Sequence, residues 1–384
     1  MNPRRGPWIA LLLLLLFAAA TVWLPFAAAL GLGALFMLAS VALFRRPAWR
    51  NTALVCASLL AGLAGFELVF GLIVPEGRNA DVVKLSVPER WTSDDADLGY
   101  RLRPGTSVEV TATHAGQPLY RVTYTIDPSG ARATRGSAPD GPSWMFMGDS
   151  YVFGEGLADP ETLPAQFAGR LQPPQHVVNL GVPGYAPNHL VRALETELYD
   201  GYVKGKVAAA IFWISPSQLL RVTGDGSWLT LSPHYELIPG EPPRYTGSFL
   251  AWRLGHPLEG LSYFARSRFA WAMRIERPGL ERLQNELFIA LLARLRDLVK
   301  EKWNAPLIVI YDWDDGTLGW QPQFKQVFDA IAAMGMPMVS MHAEIDPRIG
   351  LPAYTIPHDG HPSALMDREV ARALAEKVRD IGLQ

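Results

Sequence analysis

The stretch Trp144-Met145-Phe146-Met147-Gly148-Asp149-Ser150-Tyr151-Val152-Phe153-Gly154-Glu155-Gly156 opens with four apolar residues and then breaks into glycine and polar side chains. So short an apolar run predicts a buried strand, and Gly148 predicts a sharp turn at its end. Similar runs follow at His176 to Leu180, Val207 to Ile214, Pro306 to Tyr311 and Pro337 to Met341. Amphipathic stretches lie between and after them, near Thr162 to Leu171, His189 to Val203, Leu280 to Trp303, Pro322 to Met334 and Pro362 to Ile381. This alternation predicts an α/β fold, with a parallel five-stranded sheet covered by helices on both faces. Chemistry in such sheets gathers at the carboxyl ends of the strands.

Ser150 stands at the first of those ends and is a candidate nucleophile, presenting its hydroxyl and its N–H to the crevice. The pattern is not the G-x-S-x-G elbow, because Val152 replaces the second glycine. The second run ends in Asn179-Leu180-Gly181-Val182-Pro183-Gly184-Tyr185, where a glycine N–H can face an oxyanion or simply serve a strand-to-helix turn. Before the last helix stands Pro357-His358-Asp359-Gly360-His361-Pro362. A carboxylate there can hold the imidazole of His361 in one tautomer while its other nitrogen takes the serine proton.

With three such signals in this order at strand ends, residues 143–384 resemble the SGNH/GDSL hydrolase family. The resemblance implies a flavodoxin-like three-layer sandwich, Ser150 as nucleophile, His361 as base and Asp359 as its orienting acid. It also implies Ser150 and Gly184 as backbone oxyanion donors. Asp97-Leu98-Gly99-Tyr100-Arg101-Leu102-Arg103-Pro104-Gly105 and the segment Tyr124 to Arg132 are similar to membrane-anchored bacterial members. Two departures stand out. The third block lacks the Asn that donates to the oxyanion, leaving Ser215, Ser217 or Gln218 as substitutes. Asp359 precedes His361 by two residues where many members have three, and His358 holds that third position.

The implied activity is serine-dependent ester hydrolysis through an acyl-serine, as a carbohydrate O-deacetylase or a lipid esterase. The alternatives are an O-acyltransferase acting on envelope or exported polysaccharide, and a catalytically inactive SGNH module that binds glycan or scaffolds an assembly. An acylated carbohydrate or lipid is the expected substrate. No cofactor or metal is expected, since no His/Glu cluster has ligand spacing and no phosphate-binding glycine loop occurs. A net charge of −2 without a dense Lys/Arg run argues against nucleic acid.

No charged residue occurs from Trp8 to Phe44, and from Thr52 to Val74 the only one is Glu67. One helix over the first stretch would be about 56 Å long, against a hydrocarbon core of about 30 Å. The expectation is therefore three transmembrane helices at about 8–24, 26–44 and 52–74. Arg4, Arg5, Arg45, Arg46 and Arg50 then lie in the cytoplasm, and the large domain faces the periplasm or exterior from a bacterial inner membrane. A two-pass arrangement and a cleaved signal peptide are the other readings. Residues 1–75 form the membrane region, 76–142 a β-rich lead-in and linker, and 143–384 the hydrolase-like domain. The aromatic, Pro/Gly-rich stretch at about 223–278 reads as an insertion in it. Cys56, the only cysteine, falls in the third span, so the outer domain has no disulfide. His189, His358 and Glu67 read as structural.

Overall fold

A computed structural model of the chain describes residues 26–41, 44, 46–73, 83–87, 89–256, 279–311, 322–346 and 348–383. The chain divides into two compact units, one of residues up to Asn79 with Ala251–Leu280, the other of Ala80–Leu250 with Glu281–Gln384.

The first unit contains the helices α1 (Phe26–Val41) and α2 (Pro47–Ile73). Ala34, Ala53, Ala57 and Ala64 are buried, so the backbones approach closely, while Leu32, Leu35, Leu59 and Leu63 point outward. Within α2, Pro47–Phe70 is long and apolar enough to cross a membrane. The described part of α1, 16 residues, is about 24 Å long and falls within the expected 26–44 span. Proline suits the first turn of a helix, so α2 begins at Pro47 and takes in Arg50, which was expected in the connection. The expected 8–24 span lies outside the described residues.

The second unit opens with β1 (Lys84–Ser86), β2 (Thr92–Asp95), β3 (Gly99–Leu102), β4 (Ser107–His114) and β5 (Gln117–Thr125). β4 and β5 form a hairpin edged by β1, and β2 pairs with β3, all antiparallel. Then follow β6 (Ser143–Gly148), α3 (Ser150–Phe153), α4 (Leu163–Ala168), β7 (His176–Gly181), α5 (Pro187–Glu195), β8 (Val207–Ile214) and α6 (Ser217–Arg221). The stretch expected as an insertion holds the hairpin β9 (Pro233–Glu236) and β10 (Arg244–Ser248), then α7 (Phe249–Gly255). Its residues 257–278 lie outside the described ones. The chain closes with α8 (Leu280–Trp303), β11 (Leu307–Tyr311), α9 (Pro322–Ala333), β12 (Met338–Ser340) and α10 (Ala364–Asp380).

The five apolar runs are the five strands of one parallel sheet, in the order β12-β11-β8-β6-β7. Counted from β6 this is the flavodoxin-like order 2-1-3-4-5, the architecture that the SGNH/GDSL resemblance implied. Period-two alternation sends Met145, Met147, Phe212 and Val309 to one core and Trp144, Phe146, Trp213 and Ile308 to the other. Leu291 and Leu295 of α8 and Leu190 of α5 cover the first face, Phe167 of α4 and Val370 and Leu374 of α10 the second. Val108, Val110 and Tyr124 of the lead-in share the first core. α5 ends at Glu195, short of the expected Val203, because Glu197 takes a left-handed φ of 61°.

Candidate active site

A doubly wound sheet opens a crevice where the strand order reverses, here between β6 and β8. Ser150 follows β6 as the first residue of α3 and is 5% exposed. Asp149 caps that helix, accepting from Tyr151 N at 3.0 Å. Its other oxygen accepts from Ser215 Oγ at 2.9 Å and Arg221 Nη1 at 2.7 Å, so the turn bearing the nucleophile is tied to the end of β8. Arg221 Nη1 also donates to Tyr185 O at 3.2 Å, which links the same turn to the Gly184 turn.

His361 reaches Ser150 from the loop before α10, with Nε2 and Ser150 Oγ 2.8 Å apart. That loop is closed by Ile356 N donating to His361 O at 2.8 Å and by Gly360 N donating to Ile356 O at 3.0 Å. Within it Asp359 Oδ1 accepts from His361 N at 3.3 Å and pairs closely with His361 Nδ1. The tight turn explains why a spacing of two residues suffices. Asp359 Oδ2 lies 3.5 Å from Tyr120 Oη of the lead-in. His358, at a left-handed φ of 63°, stacks instead on His114, 4.0 Å between ring centroids.

Burial pulls the His361 pKa down, but the Asp359 hydrogen bond and the charges of Glu155 and Asp359 outweigh it, so the value rises above that of an ordinary histidine. Glu155 was not singled out in the sequence. Its Oε2 lies 3.7 Å from His361 Nε2, and burial raises its pKa, with His361 opposing and Asp359 adding to the rise.

Ser150 N–H opens α3 and so has no intrahelical acceptor. Among the described residues neither it nor Gly184 N–H is engaged by another group. Gly184 holds φ +88°, and a Cβ there would meet Tyr100 Oη at 2.5 Å and Trp228 Nε1 at 2.7 Å, so only glycine fits. Tyr100 is itself fixed by donating to Pro183 O at 2.7 Å.

The three candidates for the missing third-block donor are differently placed. Ser215 Oγ serves Asp149 and lies 3.1 Å from Ser217 Oγ. Gln218 is buried and turns its Nε2 to Trp213 O at 3.1 Å. His189 is buried, accepts from Ala186 N at 3.2 Å and is held neutral, its pKa lowered by burial to about 3.

Arg132 also lacked a role in the sequence reading. Fully buried, it donates to Phe153 O at 2.5 Å, Gly154 O at 2.6 Å and Leu157 O at 2.6 Å, and pairs with Asp159 at 3.3 Å. It thereby holds the chain that leaves α3. Asn179 adds Nδ2 to Phe153 O at 3.3 Å and receives Gly181 N at 3.0 Å. Neither Arg132, Arg221 nor Glu155 belongs to a short spacing pattern. Their roles follow from contacts made far along the chain or after a turn.

No protein-family profile matches the chain, and no curated protein matches it. Solved structures do align with it. A putative lipolytic protein of the G-D-S-L family from Desulfitobacterium hafniense DCB-2 is 11% identical with a TM-score of 0.37, over 62% of this chain and 99% of that one. A carbohydrate acetylesterase family member from Sinorhizobium meliloti is 15% identical, TM-score 0.34, over 63% and 99%. AlinE4, an SGNH-hydrolase family esterase, is 16% identical, TM-score 0.33, over 64% and 99%. Likeness this distant leaves the reading of the site to its own geometry.

Proposed function

We propose that this chain is a serine-dependent ester hydrolase of the SGNH/GDSL type, with Ser150, His361 and Asp359 as its catalytic triad. The observation that carries the reading is the unbroken chain from Ser150 Oγ to His361 Nε2 at 2.8 Å and from His361 Nδ1 to Asp359. His361 takes the hydroxyl proton as Ser150 Oγ attacks the ester carbonyl, and Asp359 keeps the ring in the tautomer whose Nε2 is free to accept. The N–H groups of Ser150 and Gly184 receive the oxyanion. His361 then gives its proton to the departing alcohol, leaving an acyl-serine.

The missing third-block Asn has a consequence for rate. Ser215 and Gln218 donate elsewhere and Ser217 Oγ, 3.1 Å from Ser215 Oγ, turns its proton to it, so the two backbone N–H groups carry the oxyanion, and loss of one donor commonly costs about 10²–10³ in kcat. The substrate class we assign is an acyl ester of a carbohydrate or lipid at the cell envelope. Three N-terminal spans, with the catalytic domain outside the cytoplasm, follow from the arginine distribution. The apolar helix Pro47–Phe70 supports a membrane anchor.

The test is labelling of the purified protein in detergent with a fluorophosphonate, comparing wild type with Ser150→Ala and His361→Ala. Labelling that needs both residues is the expected result. A folded wild type that never labels would overturn the esterase reading in favour of a glycan-binding or scaffolding module.

A further inference from the structure

Glu155 is outside the triad, yet its carboxyl faces the working edge of the base. Oε2 lies 3.7 Å from His361 Nε2, the nitrogen that meets Ser150 Oγ at 2.8 Å. The backbone ties the two residues together, since Glu155 N donates to Ser150 O at 3.0 Å. The Glu155 side chain is 13% exposed, and among the described residues no hydrogen bond reaches its carboxyl oxygens. Partly open to solvent and 3.7 Å from the imidazole, that carboxyl keeps its hydrogen-bonding capacity for a small group beside it.

Geometry says what fits. With the two atoms 3.7 Å apart, an oxygen about 2.8 Å from each sees them at roughly 80°, so one water or hydroxyl can touch Nε2 and Oε2 together. The oxygen that must touch Nε2 after acylation is that of the acyl acceptor. We propose that Glu155 is a catalytic residue of the second half-reaction, binding the hydroxyl that resolves the acyl-serine and holding it against His361. The inference rests on the esterase reading above.

In that step the acceptor oxygen forms a bond to the acyl carbon while its proton passes to Nε2. The tetrahedral intermediate collapses with cleavage of the bond from carbon to Ser150 Oγ, and Nε2 returns the proton to Oγ. Water as acceptor yields the free acid, and an alcohol yields a new ester. Water has two hydrogens and can give one to Nε2 and one to an ionised Glu155. An alcohol has a single one, so it touches both groups only when Glu155 is protonated and donates to it.

The test uses the full-length protein in detergent with p-nitrophenyl acetate, in wild type, Glu155→Leu and Glu155→Gln. The expected result is a p-nitrophenol burst within about 3-fold of wild type in Glu155→Leu, followed by steady turnover lowered at least about 10-fold. Acetyl-Ser150 then accumulates by mass spectrometry, and Glu155→Gln, which keeps hydrogen-bonding capacity, lies between. Methanol added to the reaction separates the two acceptors: a wild-type ratio of methyl acetate to acetate that changes in Glu155→Leu supports the proposal. Burst and turnover that fall together would place the effect on His361 or on folding and overturn it. Unchanged turnover with a normal melting temperature would overturn it too. A wild type that forms no acetyl-Ser150 removes the esterase reading, and this inference with it.

Discussion

His361 is pulled in two directions, by burial toward the neutral ring and by Asp359 and Glu155 toward the charged one, and the carboxyl groups win. The base works only when neutral, so the rate of acylation should rise with pH through a midpoint above the ordinary histidine value of about 6.5. The sign for stability is opposite. A folded-state value raised in this way stabilises the domain below about pH 6.5, and that contribution is lost as pH rises through the folded value. Asp359→Asn removes the hydrogen bond and a charge that raise it, so the acid limb should move to lower pH. Loss of the orienting carboxylate should also lower kcat by about 10³–10⁴. A pH profile of fluorophosphonate labelling rate checks both, and an unmoved limb would detach Asp359 from the base. Asp359 was legible because it lies two residues from His361. Glu155 was not, because nothing in a turn of glycines says which way its side chain folds back.

The one-turn helix α3 carries the nucleophile, and its four residues are too few to hold themselves in place. Arg132 supplies what the helix lacks, accepting no share of solvent and donating to three carbonyls that leave α3 and the loop behind it. Arg132→Met would strand those carbonyls and the Asp159 carboxylate in the interior. A loss of about 3–5 kcal/mol is expected, read as a fall in melting temperature on the order of 10 °C, with weaker labelling of Ser150. A variant as stable as wild type would mean that water replaces the guanidinium. At this level the sheet was largely readable, since each buried strand announces itself as an apolar run. The helix limits were less so, because α5 is ended by the backbone of Glu197 and not by any change in its apolar pattern. Gly181 shows the same limit from the other side. A Cβ there would come within 2.2 Å of Phe153 N, a demand set by α3 lying against the end of β7.

At the scale of the molecule, α2 is 27 residues long with leucines facing outward, and its stretch Pro47–Phe70 is long and apolar enough to cross a membrane, which agrees with the proposed anchor. With three spans the C-terminus lies outside the cytoplasm, so alkaline phosphatase fused after Gln384 should be active in cells; an inactive fusion would reverse the topology. Fold class and the order of the strands along the chain were readable from local pattern, and so were Ser150, His361 and Asp359 as residues that the fold brings together. Each depends on apolar periodicity, on a residue at the end of a strand such as Ser150, or on neighbours in one short loop such as Asp359 and His361, and these survive in one dimension. The sheet order across space came only through the family resemblance, and the burial of Arg132, the commitment of Ser215 to Asp149 and the approach of Glu155 to His361 were not readable at all. These depend on distances between segments brought together by packing, and a carboxyl beside a base acquires its chemistry only when folding removes the water between them.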